Sequence, residues 1–181
     1  MKKFKLTSEF IVDISGVKLF RIKALIEFGN VKAGDLGGYI EKEENLSHMG
    51  NAWVSGNARV SGDARVFGNA RVSGNARVSS NARVSGDAQV FGDARVSGDK
   101  DYAYAHGFGS CNRTTTFFRL KDGDVGVRCG CFYGTLAQFR DNVCETHGET
   151  KKAQEYLMLA DLMELRFEED ENEVGNRKYV E

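Results

Sequence analysis

Between Gly50 and Asp99 the chain repeats every six residues: GNAWVS GNARVS GDARVF GNARVS GNARVS SNARVS GDAQVF GDARVS GD. Valine returns at Val54, Val60, Val66, Val72, Val78, Val84, Val90 and Val96, and alanine stands two positions before each, from Ala52 to Ala94. A six-residue period fits neither a helix of 3.6 residues per turn nor a continuous strand of period two. It fits a strand of three or four residues followed by a two-residue bend. Ala and Val share the inward face of such a strand, while Arg and Ser point outward. Gly-Asn or Gly-Asp supplies the bend, because glycine lacks a Cβ and Asn and Asp tolerate left-handed backbone. One strand of this kind cannot bury its valine alone; stacked coils bury a column of them.

Val54–Ala58, Val60–Ala64 and their successors place a small residue four positions after an aliphatic one. In this the stretch resembles the hexapeptide-repeat, left-handed parallel β-helix family. The resemblance implies triangular coils of three hexapeptides, so that residues 18 apart stack. About four coils at a strand spacing near 4.8 Å give a prism about 20 Å tall. Ile40, Leu46, Tyr102 and Phe108 are placed to extend it at either end. Leu46 lies eight residues before Val54, so the first coil holds a two-residue irregularity.

The expected fold is therefore mainly β: a left-handed parallel β-helix over residues 37–110, behind an N-terminal β cap (1–36) and before a small C-terminal ββαα domain (113–167). Open β-helix ends expose unpaired backbone and require such caps. In the cap, Val17, Leu19 and Arg21 alternate with Lys18 and Phe20, and Gly34-Asp35-Leu36-Gly37-Gly38 turns the chain into the first coil. Past Gly109 the period stops. TTTFFRL and VGVRCGCF flank an Asp122-Gly123 turn, as in a β-hairpin. Thr135 with Gln138 forms a capping box for a helix carrying Leu136, Phe139 and Val143 on one face, and Gly148 ends it. Thr150 opens a second helix with Ala153, Tyr156, Leu157, Ala160, Met163 and Phe167 on one stripe. Residues 168–181 form an acidic tail, expected to be mobile.

Composition narrows the function classes. The 21 glycines with no proline argue against a disordered linker and for regular structure with many tight turns. Lys+Arg 25 against Asp+Glu 26 gives a net charge of −1, unlike a nucleic-acid coat or a polybasic membrane binder. No apolar run reaches membrane-spanning length and the N-terminus lacks a signal-peptide stretch, so a cytoplasmic location is expected. The four cysteines are then reduced thiols or metal ligands rather than disulfides.

Three kinds of site compete. Acyltransferases of the hexapeptide family, by that resemblance, use a histidine base and a loop that interrupts the coils. This array has no insertion, and His48, His106 and His147 all lie outside it; His106 is the one candidate base. The carbonic-anhydrase variant of the fold needs three histidines on one zinc, and these three are scattered along the chain. No catalytic residue and no cofactor is assigned. Cys129, Cys131, Cys144 and His147 could supply a tetrahedral zinc set. Against it, Val125, Val127, Cys129 and Cys131 alternate onto one strand face as small buried hydrophobes do.

The arginines carry more information. The 18-residue stack places Arg59, Arg77 and Arg95 in one column, Arg65 and Arg83 in a second, and Trp53, Arg71 and Gln89 in a third. Like charges about 4.8 Å apart repel by about 1 kcal/mol in water. Either Asp63, Asp87, Asp93 and Asp99 at nearby turns neutralise them, or the column of three binds phosphates or an acidic protein surface. Residues 50–99 carry six Arg and four Asp, which favours local neutralisation. The third face adds outward Trp53 and Phe91, with Phe67 on a neighbouring face. It reads as a contact with a partner or a copy of itself, or as a surface that the N-terminal cap folds over.

Beyond the repeat, the lead-in RIKALIEFGNVKAGDLGGYIEKEENLS, the GNAWVSGNARV start and the GCFYGTLAQF…ETHGETKKAQEYL segment resemble small phage- or prophage-borne hexapeptide-repeat proteins. That resemblance implies a non-catalytic binding protein that engages a host macromolecule, with counter-defence inhibition, including of a CRISPR nuclease, among its roles. The expected partner is a host protein, with nucleic acid the alternative through the Arg columns; no membrane contact is expected, and a homo-oligomer is.

Overall fold

The six-residue period closes into a three-sided prism. The structure, a computed structural model, describes residues 1–109 and 112–168. Eight two-residue strands follow one another around the axis: β4 (Trp53–Val54), β5 (Arg59–Val60), β6 (Arg65–Val66), β7 (Arg71–Val72), β8 (Arg77–Val78), β9 (Arg83–Val84), β10 (Gln89–Val90) and β11 (Arg95–Val96). Strands 18 residues apart pair in parallel: Val54, Val72 and Val90 stack on one face, Val66 and Val84 on a second, Val60, Val78 and Val96 on the third. The inward Ala and Val columns are buried completely, as the alternation requires. The third face continues downward through β3 (Leu36–Ile40), with Ile40 opposite Val60. From Ile40 to Val96 the chain makes about three turns, one fewer than the four expected with both ends extended. Ile40–Val60 and Leu46–Val66 are each two residues longer than the regular turn, where the eight-residue gap falls.

The bends hold their backbone in the left-handed region, φ 63–72° at the repeat glycines from Gly50 to Gly92. Ser80, which replaces glycine in SNARVS, is held at φ 56° all the same. Gly37 answers a different need. A Cβ there would lie 2.6 Å from Val54 O and 2.7 Å from Trp53 Cζ2, so only glycine lets β3 pass this close to the first coil.

The two prism ends are closed by different units. Rungs are linked in both directions: Arg59 N donates to Ala76 O and Ser61 N to Val78 O above it, and the parallel register returns the Val78 N–H to Arg59 O. Each end rung therefore leaves backbone groups that a flanking unit must meet. Below, the cap hairpin of β1 (Phe4–Val12) and β2 (Lys18–Ala24) continues the third face through β3. On the other faces side-chain donors cover the carbonyls: Lys3 Nζ to Ala52 O at 2.8 Å, Asn45 Nδ2 to Gly62 O and Ala64 O at 3.0 and 2.8 Å. Above, acceptors cover the N–H groups: Asp99 takes Arg83 N, the Tyr102 hydroxyl takes Ser85 N, Thr116 takes Gln89 N and Asp101 takes Ser97 N.

The C-terminal unit is larger than the expected ββαα. Strand β12 (Tyr102–Phe108) runs antiparallel to β13 (Arg113–Arg119), followed by β14 (Val125–Cys129) and β15 (Phe132–Thr135), in one four-stranded sheet. Tyr102 is buried at the prism end, but Phe108 belongs to this sheet and is exposed, so it does not extend the prism. Helices α1 (Leu136–His147) and α2 (Lys151–Phe167) pack on the sheet with the expected faces inward, and the Thr135–Gln138 capping box is formed. The acidic tail expected over 168–181 lies, past Glu168, outside the described residues. No helix among the described residues is long and apolar enough to cross a membrane.

Candidate interaction face

The aromatic face expected from Trp53 and Phe91 is already occupied. Trp53 is only 7% exposed, covered edge-on by Phe28 of the cap with ring centroids 5.4 Å apart. Phe91 is half-buried between Tyr133, 5.0 Å away edge-on, and the Arg128 guanidinium, 5.0 Å from its ring centroid. Both rings are anchors for the flanking units rather than exposed contacts. Trp53 at the Arg position of the first repeat and Phe91 at the Ser position of the seventh were the signal for this, since the ends are where caps must grip. Phe67, at a middle coil, stays 39% exposed.

The column of Arg59, Arg77 and Arg95 forms in register. Below it Tyr39 pairs with Arg59, and Arg21 with Tyr39. The outer members are tied down. Arg21 Nη1 donates to Glu9 at 3.0 Å, and Arg95 Nη1 donates to the carbonyls of Asn75, Asp93 and Ala94 at 2.8–3.2 Å. Burial, then the charge of Arg77, hold the Arg95 guanidinium below its ordinary pKa, with Asp93 opposing and Arg59 adding to the fall. The column thus repels itself, as stacked like charges must.

The acidic side chains near the columns make their hydrogen bonds to other groups. Asp63 pairs with Lys42 at 2.9 Å, and that hydrogen bond, with the Lys42 charge and then the more distant Arg65 charge adding to it, holds its carboxyl below the usual range. Asp87 and Asp93 accept from Asn69 and Asn75 in corner ladders of residues 18 apart, and Asp99 caps Arg83 N. Among the described residues no carboxylate lies within 4 Å of the guanidiniums of Arg59, Arg65, Arg71, Arg77 or Arg83.

Two of these, Arg65 and Arg83, line a groove. Three concavities of about 530, 450 and 430 Å³ lie along the β6–β9 face, and all three include Arg83. The lower end is bordered by Glu43, Glu44 and His48, and the upper by Tyr104 and Arg166 of the C-terminal unit, with Phe67 common to the first and third. His48 is held there by Phe4, stacked at 4.3 Å, and by the Lys3 N–H on Nδ1. This face is two strands wide and carries neither the cap hairpin nor the C-terminal sheet. Unpaired arginines beside exposed aromatic rings are the side chains that carry binding energy at protein contacts. Arg65 and Arg83 were legible as a column, but Tyr104 and Arg166 enter from outside the repeat and no periodicity points to them.

The other candidates are not brought together. His106 is exposed, its Nδ1 2.9 Å from Thr114 Oγ1, and it lines none of the three concavities. Cys129 is half-buried and accepts from Thr115 Oγ1 at 3.1 Å, Cys131 and Cys144 are exposed, and His147 stacks on Tyr156. No three His, Cys, Asp or Glu side chains among the described residues converge as metal ligands would.

Residues 52–68, 58–74, 64–80, 70–86 and 88–99 match the family model of the YdcK beta solenoid repeat. The repeats are those of a β-solenoid. The match covers the prism and none of the flanking units, so it supports a β-helix repeat family and leaves the groove's occupant to chemistry. No curated protein matches the chain.

Proposed function

We propose that this chain is a non-catalytic binding protein whose rigid prism, wound left-handed in the hexapeptide manner, engages a host protein through the β6–β9 groove and the adjoining Arg59–Arg77 column. One observation carries the reading: these guanidiniums make no ion pair among the described residues, while each nearby repeat aspartate hydrogen-bonds to another group. An acidic protein surface supplies both the missing charge and apolar contact for Phe67 and Tyr104. The aliphatic–small spacing of Val54–Ala58 and its successors supports the hexapeptide winding. The phage-type layout of the flanks supports action in the host cytoplasm as a counter-defence inhibitor of the anti-CRISPR kind.

The test is capture from bacterial lysate by tagged wild type and by an Arg65→Glu/Arg83→Glu variant, each with and without nuclease. A protein retained with nuclease present, and lost from the variant, supports the reading. Equal retention by both proteins removes the groove. Capture that disappears with nuclease and falls steeply with salt transfers the arginines to a nucleic acid.

A further inference from the structure

The outer side of α2 carries an apolar stripe that no described residue covers. Met158, Leu162 and Leu165, at i, i+4 and i+7, share one face and are 71, 54 and 67% exposed. The opposite face is used up, with Ala153, Tyr156, Ala160, Met163 and Phe167 buried in the C-terminal core. Scattered exposed leucines are ordinary on a monomer; three on successive turns form a patch. Its charges have a direction. Glu155 precedes the stripe; its Oε2 accepts the Gly109 N–H at 3.1 Å and its other oxygen is left over. Arg166, which also borders the β6–β9 groove, follows the stripe, while Asp161 and Glu164 beside it are held by Arg140 of α1.

We propose that this stripe docks a second copy of the chain, α2 against α2, antiparallel about a two-fold axis at Leu162. Leu162 then meets its own copy, and Met158 meets Leu165 of the second copy. Glu155 lies seven residues before the axis and Arg166 four after it. At about 1.5 Å per residue, Glu155 and Arg166 of the second copy differ by about 4.5 Å along the helix, within reach of two long side chains. The pair forms twice. A parallel arrangement would instead set Glu155 against Glu155 and Arg166 against Arg166. Three side chains per copy bury less than the roughly 1,200 Å² of a standard interface, so the dimer is weak, with Kd on the order of 10–100 μM.

Analytical ultracentrifugation of the full chain across that range tests this. Wild type should pass from monomer to dimer with concentration, and Leu162→Asp should stay monomeric with an unchanged melting temperature, since the side chain is exposed. Glu155→Lys and Arg166→Glu should each weaken association by roughly three- to tenfold, and the two combined should restore it. A wild type monomeric throughout, a dimer indifferent to Leu162→Asp, or a double swap without recovery each overturns the proposal. So does a chain that dimerises only once residues 169–181 are removed, because that assigns the stripe to a segment of the same molecule.

Discussion

Lys3 is the most informative single side chain for testing how the prism ends are closed. It is 1% exposed, with Nζ 2.8 Å from Ala52 O, 3.3 Å from Gly50 O and 4.6 Å from the Phe28 ring centroid. No carboxylate among the described residues pairs with it. Carbonyl dipoles and a ring face replace only part of the lost hydration, and burial pushes its pKa down to about 8 from 10.5. Because the folded-state value is the lower one, the unfolded chain binds more protons between about pH 8 and 10.5, and stability rises with pH across that window. The whole difference corresponds to about 3 kcal/mol, most of which falls between pH 7 and pH 10. Urea unfolding of wild type and Lys3→Met at both pH values isolates this contribution, since methionine keeps the length and titrates nothing. The wild-type advantage over the variant should grow by about 2–3 kcal/mol from pH 7 to pH 10. A difference that stays flat would refute the reasoning, because Lys3 would then keep its charge as easily in the fold as in water.

Other consequences follow from the same geometry. Trp53→Asp should unfold or strongly destabilise the protein, by at least about 4 kcal/mol in chemical denaturation, because it removes a buried ring and places a carboxylate under Phe28; a variant of unchanged stability would show that the cap does not hold this face. Ser80→Gly should stabilise by roughly 0.5–1 kcal/mol in the same assay, since glycine adopts φ 56° without the Cβ clash. Tyr102→Phe should cost about 1–2 kcal/mol, as its hydroxyl both donates to Arg83 O at 2.7 Å and accepts from Ser85 N; calorimetry showing no loss would mean that water caps this strand equally well.

How much of this was legible in the sequence depends on whether a residue answers to its neighbours in the chain or to an edge formed far away. Val72 is inward because it alternates with Arg71, so the period places it, and the 18-residue registers of the Arg columns follow once the resemblance supplies three hexapeptides per coil. The capping box at Thr135 is equally local. Lys3 and Ala52, Tyr102 and Arg83, and Thr116 and Gln89 are instead 49, 19 and 27 residues apart, and nothing periodic connects them. What connects them is closure of the prism ends. Each end rung leaves backbone groups with no further rung to pair with, and the flanking units supply the partners: Lys3 and Asn45 donate to carbonyls below, Asp99, Asp101 and Thr116 accept from N–H groups above, and the Tyr102 hydroxyl does both. The same requirement explains why Trp53 and Phe91 are covered and Phe67 is exposed. The first two stand at coils where a cap must attach, and their rings are the attachment. The third stands on the face that is two strands wide, where small side-chain caps from Asn45, Asp99 and Tyr102 close the ends and no flanking sheet reaches the ring, so Phe67 stays exposed beside Arg65 and Arg83, the surface that the proposed contact uses.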